Sequence, residues 1–107
     1  MNPDPNVLDE LVRRTVELVR PLRIVLFGSA ARGTMGPSSD LDALIVVRDG
    51  SDCLAATQAL HQALSNLGVA KDLVVVQASD VERHGSNPYL IIHSALSEGR
   101  ELYRAAS

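Results

Sequence analysis

The chain is poor in the residues that other protein classes depend on. It has one cysteine, no tryptophan and three aromatic residues among 107 positions. With Cys53 alone no internal disulfide can form, so a packed core must hold the fold and a cytoplasmic location is the expectation. Cys53 has no basic neighbour in sequence and reads as a buried or half-buried structural thiol rather than a nucleophile. The aromatics are Phe27, Tyr89 and Tyr103. That leaves little surface on which to stack bases, so any base selectivity should be loose. Positive charge is also scarce: 10 Lys and Arg stand against 13 Asp and Glu, for a net charge of −3. Such a balance disfavours a protein that grips a polynucleotide through its phosphates. The longest apolar stretches, Leu44 to Val47 and Leu73 to Val76, fall far short of the ~20 residues of a membrane span. Met1 to Asp9 carries two aspartates and no Lys or Arg, unlike a secretory signal.

What is present fits one small globular domain covering residues 1–107, with 46% hydrophobic residues available for its core. Asp4 before Pro5 is a helix start, and Leu8, Leu11, Val12, Val16 and Val19 recur at helical spacing, predicting a helix over 5–20 that Pro21 stops. Arg23 to Gly28 reads as a buried strand, Ser29 to Gly33 as a short helix, and Thr34 to Ser39 as a loop. Asp40 to Val47 reads as a second strand. Ser51 is the expected cap of a helix whose apolar face runs from Leu54 to Leu67 and ends at Gly68. Lys71 to Ala78 reads as a third strand. Ser79 with Glu82 matches a capping box for a short helix to His84. A closing helix is expected over 88–98, ended by Gly99, with a short edge strand at Glu101 to Tyr103. The alternation of strands and helices, with a core over 23–78, predicts an α/β fold with a mixed sheet of three to four strands.

The chemistry gathers at strand ends. In a strand, residues two apart share a face, so Asp40 and Asp42 project together. Two carboxylates ~4 Å apart repel by ~4 kcal/mol at an effective dielectric near 20, so a cation is their natural companion. Carboxylate oxygens without nearby His or Cys suit magnesium, or manganese, rather than zinc. If Asp72 joins them, the second and third strands start at one sheet edge and run parallel with a helical crossover. Ser29 leaves the carboxyl end of the first strand at that same edge, so the first strand must run antiparallel to the second. The amides from Gly28 to Ala31 then open a short helix where a phosphate is attracted, and glycine at 28 allows close approach. Taken singly, each aspartate reads as a solvated strand-entry or turn residue. Their joint spacing with the Gly-Ser element favours a site. His61, His84 and His93 have no metal-ligand spacing and read as structural or exposed.

The stretch Gly28-Ser29-Ala30-Ala31-Arg32-Gly33, followed by Ser39-Asp40-Leu41-Asp42, resembles the polymerase-β-like nucleotidyltransferases, and among them the minimal type. Lys71-Asp72-Leu73-Val74 and the closing Leu96 to Tyr103 are similar to that family as well. The resemblance implies a fold of that kind and a site in which Asp40 and Asp42 bind magnesium and Asp72 is the third carboxylate. Gly28, Ser29, Arg32 and Ser39 would then lie on the nucleotide side. One departure is Ala30, where relatives often carry a basic residue. The implied reaction is transfer of a nucleoside monophosphate, AMP first, from ATP or another NTP to an acceptor hydroxyl, with release of pyrophosphate. The implied partner is a HEPN-domain toxin, neutralised by modification or by masking, which would make this chain an antitoxin. The oligomeric state is left open.

Three other readings compete. A binding module would use the same pocket without turnover. A nucleotide-sugar glycosyltransferase also uses Asp-x-Asp, but this chain is short for its two halves. An aminoglycoside-modifying enzyme would need an acceptor domain. A Walker-type NTPase is excluded, because no Gly-x-x-x-x-Gly-Lys-Ser/Thr stretch occurs.

Overall fold

The computed structural model describes residues 2–36, 39–84, 87 and 90–106. Its elements follow as α1 (Pro5–Val19), β1 (Arg23–Phe27), α2 (Gly28–Arg32), β2 (Leu41–Val47), α3 (Cys53–Ala63), β3 (Lys71–Gln77), α4 (Ala78–His84), α5 (Ile91–Glu98) and β4 (Arg100–Arg104). The strands form one sheet in the order β3-β2-β1-β4. β1 is antiparallel to β2, and β2 is parallel to β3 through the α3 crossover, as the strand-end argument required. β4 adds to the free edge of β1 in antiparallel fashion, with a bulge at Ile24/Val25. It is two residues longer than the sequence suggested.

Period-two alternation sorts the side chains onto two faces. Ile24, Ala43, Ile45, Val47 and Leu73 pack with Leu11, Leu60 and Leu64, which puts α1 and α3 on one face. Val25, Phe27, Leu44 and Val46 pack with Ile92 and Ala95, with Val74, Val76, Val81 and Leu96 around them, which puts α4 and α5 on the other. A third cluster of Leu8, Leu26, Ala30 and Leu41 seats α2 on the sheet. β2 is covered on both faces, and Ala43, Leu44 and Ile45 are fully buried. Burial of each of the latter two contributes about 1.5–3 kcal/mol. This apolar anchoring of β2 holds its amino-terminal residues in place.

Helix ends refine the sequence reading. Asp4 caps α1 as expected, its Oδ1 accepting from Asn6 N at 2.9 Å. Arg20 is not helical: it ends α1 in the left-handed region at φ 47°, where its N–H still reaches Val16 O. α3 is capped by Asp52, whose Oδ1 accepts from Ala55 N at 3.0 Å, and not by Ser51. A carboxylate is the stronger acceptor and lies one residue nearer the helix. The Ser79–Glu82 capping box is likewise absent, because α4 begins at Ala78, directly on the end of β3. Asp80 Oδ2 instead accepts from Gln77 N at 3.0 Å, and Ser79 N donates to Asp49 Oδ1 at 2.9 Å. α5 begins at Ile91. The expected start at Pro88 and Tyr89 lies outside the described residues.

Among the described residues no helix is long and apolar enough to cross a membrane. Cys53 is half-buried at the start of α3. Burial, with smaller help from Asp80 and Asp52, pushes its thiol above the ordinary value, as suits a structural cysteine. His61 is exposed, His84 ends α4, and His93 Nε2 lies 3.3 Å from Ser97 Oγ.

Candidate nucleotidyl-transfer site

The parallel register of β2 and β3 pairs Asp42 with Asp72, and the antiparallel register of β1 and β2 pairs Asp42 with Phe27. Asp42 has the parity of Leu44 and Val46, and Asp72 that of Val74 and Val76. Both carboxylates therefore stand on the α4–α5 face, where the apolar cluster ends. Asp40 lies just before β2 and is exposed, as is Asp72, while Asp42 is half-buried. Burial first, then the charge of Asp72, then that of Asp40, pushes the Asp42 carboxyl above its ordinary value of 3.8; Arg32 pulls it down. The electrostatics thus place all three aspartates and Arg32 in one neighbourhood.

The Gly28 turn closes this corner. β1 ends at Phe27, and Gly28 turns the chain into α2 at φ +67°. A Cβ at this position would overlap Asp42 Oδ2, so the backbone lies against the carboxylate with no side chain between. Both the close approach and the left-handed angle demand glycine. The first turn of α2 has no side-chain cap, since its N-cap residue is Phe27. Ser29 uses its carbonyl to accept from Thr34 N at 2.9 Å, and Gly33 ends the helix in the left-handed region. Arg32 Nη1 lies 3.8 Å from Glu98 Oε2, with both side chains exposed. Ser39 Oγ accepts from Gly36 N at 2.9 Å, which ties Ser39 to the loop ahead of the aspartates.

The donor set fits a hard divalent ion. It consists of carboxylate oxygens with no His or Cys among the site residues, and Asp42 is held above its ordinary value by burial first and by the charges of Asp72 and Asp40 next, a combination that a cation would relieve. Among the described residues no three His, Cys, Asp or Glu side chains form a ready-made metal cage. Magnesium does not ask for one: it is typically held by one or two carboxylates, completing its shell with water and substrate phosphates. The cleft between the amino-terminal segment and β4, lined by Pro3, Leu8 and Leu102, contains none of the three aspartates. The carboxylate geometry, rather than that cleft, marks this site. Glu98, the partner of Arg32, was not a candidate from sequence. It lies far along the chain, and its only signal was membership of the closing stretch from Leu96 to Tyr103.

Comparison with known proteins agrees with this geometry. Residues 8–100 match the model of the family described as nucleotidyltransferase domain. No curated protein sequence matches the chain. Among solved structures, it is similar to a toxin–antitoxin MntA–HpeT mutant with two aspartate-to-glutamate changes two residues apart. The identity is 24%, over 96% of this chain and 75% of that one, and the TM-score is 0.65. It is similar also to a toxin–antitoxin structure with AMP-PNP, at 24% identity over the same 96% and 75%, with a TM-score of 0.60. These likenesses establish the fold. With the family model spanning most of its length, the chain belongs to the nucleotidyltransferase domain family.

Proposed function

We propose that this protein is a magnesium-dependent nucleotidyltransferase of the minimal type. It transfers a nucleoside monophosphate, AMP first, from an NTP to a hydroxyl on a partner protein, a HEPN-type toxin that it neutralises in the cytoplasm. The observation that carries the reading is the register pairing of Asp42 with Asp72 on one face, with the Gly28 backbone against Asp42. Asp40, Asp42 and Asp72 line the place the metal would take, one or two of them ligating it directly. When bound, magnesium neutralises the triphosphate and fixes its geometry for in-line attack.

The chain's own residues do the rest. The uncapped amides at Gly28 and Ser29 face the triphosphate side and donate to its oxygens, because no side chain competes for them. Arg32 adds positive charge beside Asp42, and Ser39 holds the loop that delivers Asp40. Asp72, exposed at the rim, accepts the proton of the acceptor hydroxyl. As that oxygen bonds to the α-phosphorus, the bond from the α-phosphorus to the bridging oxygen breaks and pyrophosphate leaves. The open rim suits an acceptor presented by another protein. Two similar structures support the reading: both are toxin–antitoxin proteins, one with AMP-PNP and one altered at two aspartates two residues apart.

The test is neutralisation of the toxin partner by the wild-type chain and by Asp42→Ala. Neutralisation lost in the variant, with the complex still formed, supports transfer. Full neutralisation by Asp42→Ala would replace it with masking by a non-catalytic binding module.

A further inference from the structure

At the end of the sheet opposite the aspartates, a cleft of about 520 Å³ opens between the end of α1, the end of β2 and the end of β4. Its walls include Val16, Glu17, Arg20, Pro21, Arg48 and Tyr103. Four observations set it apart from an ordinary solvated surface. First, Arg13, Arg14, Arg23, Arg32 and Arg104 each lie within ion-pair distance of a glutamate, whereas Arg20, Arg48, Arg83 and Arg100 have no carboxylate partner among the described residues, and of these four only Arg20 and Arg48 line this cleft. The one acid in the wall, Glu17, is engaged by Arg13 Nη1 at 3.1 Å.

Second, Arg20 is the only described non-glycine residue at positive φ, at 47°. A helix end in this conformation ordinarily takes glycine or asparagine, so an arginine there is retained at a cost of about 1 kcal/mol. Third, that same conformation presents Arg20 O to Arg48 Nη1 at 2.7 Å, which fixes the second guanidinium at the cleft. Fourth, the wall contains Tyr103, half-buried where it packs against the core cluster, whereas Phe27 is buried outright. Two guanidiniums, that of Arg48 anchored, and an aromatic side chain are the elements that recognise a ligand carrying both a phosphate and a flat ring. The volume falls in the range of small-molecule sites.

We propose that this cleft binds a mononucleotide, its phosphate between Arg20 and Arg48 and its base along Tyr103. The net charge of −3 disfavours a long polyanion as the ligand. A ligand with a single phosphate fits between the two arginines, while Glu17 is paired with Arg13. The site is remote from Asp40, Asp42 and Asp72, so its occupancy does not depend on the transfer reaction.

The experiment titrates the full chain carrying Asp40→Ala/Asp42→Ala, without divalent ions, with AMP and separately with inorganic phosphate. Backbone amide resonances give the readout. The expected result is a saturable shift at Leu22, Arg48 and Tyr103. Arg48→Ala and Arg20→Gly should each weaken it about 10-fold, the scale of one charge-assisted hydrogen bond. Arg20→Gly places the favoured residue at the left-handed position, so loss of binding there reports the guanidinium and not the fold. The proposal is overturned if AMP at millimolar concentration gives no saturable shift there, or if neither variant changes it. It is overturned as a nucleotide site if inorganic phosphate binds as tightly as AMP.

Discussion

Replacing Asp42 with asparagine should stabilise the metal-free protein while abolishing its chemistry. Asp42 and Asp72 are in-register neighbours on adjacent strands, which lie ~4.8 Å apart. Two unit charges ~5 Å apart repel by about 0.8 kcal/mol in water and about 3.3 kcal/mol at an effective dielectric of 20. Asp72 is exposed and Asp42 half-buried, so the screened value lies between, at about 1–2 kcal/mol. For a domain of this size that corresponds to a rise in Tm of at least ~4 °C for Asp42→Asn. The sign follows from the direction of the shift. The folded-state carboxyl titrates above its ordinary value of 3.8, so its stabilising contribution is fully present below 3.8. That contribution is lost as the pH rises through the raised folded value. The advantage of asparagine should therefore be near zero below pH ~3.8 and complete at pH 7. Magnesium with a non-hydrolysable NTP should raise the Tm of the wild type and close the gap. Thermal unfolding of both proteins at pH 3.5 and pH 7, in chelator, reads the effect. A variant no more stable than wild type at pH 7 would refute the idea that these carboxylates crowd one another.

Further expectations follow from other residues. Gly28→Ala combines a left-handed angle with overlap on Asp42 Oδ2; it should cost about 1–3 kcal/mol and displace Asp42, measured by denaturant unfolding beside transfer activity. Gly99→Ala would drive a Cβ to 2.9 Å from Leu26 O and closer still to Ala95 O. A similar loss is expected because backbone, not a flexible tip, blocks it. Thr15 is fully buried with its hydroxyl unpartnered among the described residues. Thr15→Val should accordingly be neutral or stabilise by about 1 kcal/mol, and a clear loss of stability would show that the hydroxyl is satisfied. Asp72→Asn should lower the rate of transfer by about 10²–10⁴-fold with NTP binding changed much less, which separate measurements of kcat and KM will show.

Much of the site geometry was legible because strand periodicity is exact. Asp40 and Asp42 were expected to share a face by their spacing in a strand from Asp40, but β2 begins at Leu41 and Asp40 stands just before it. The demand that Asp72 and Ser29 meet them dictated both the parallel pairing of β2 with β3 and the antiparallel pairing of β1 with β2. Helix ends were less legible where two polar residues compete. At α3 the adjacent Asp52 displaces Ser51 as cap. At α4 the absence of any linker after Gln77 removes the position that Ser79 would have capped. β4 was underestimated because Arg100 and Arg104 do not look like strand residues. They are tolerated at the sheet edge, where Glu101 Oε1 accepts from Arg104 Nε at 3.0 Å and from Arg23 Nε at 2.8 Å. The left-handed Arg20 and the Arg32–Glu98 pair had no local signal at all, since both depend on how α1 and α5 meet the sheet.

The most direct test of the central claim is a single-turnover reaction of the protein, magnesium and the toxin partner proposed for it with ATP labelled in turn at the α- and the γ-phosphate. The account predicts that α-label becomes bound to the partner while γ-label leaves entirely as pyrophosphate, and that Asp40→Ala/Asp42→Ala abolishes both. Appearance of γ-label on the partner, or α-label transfer that persists in the double variant, would contradict it.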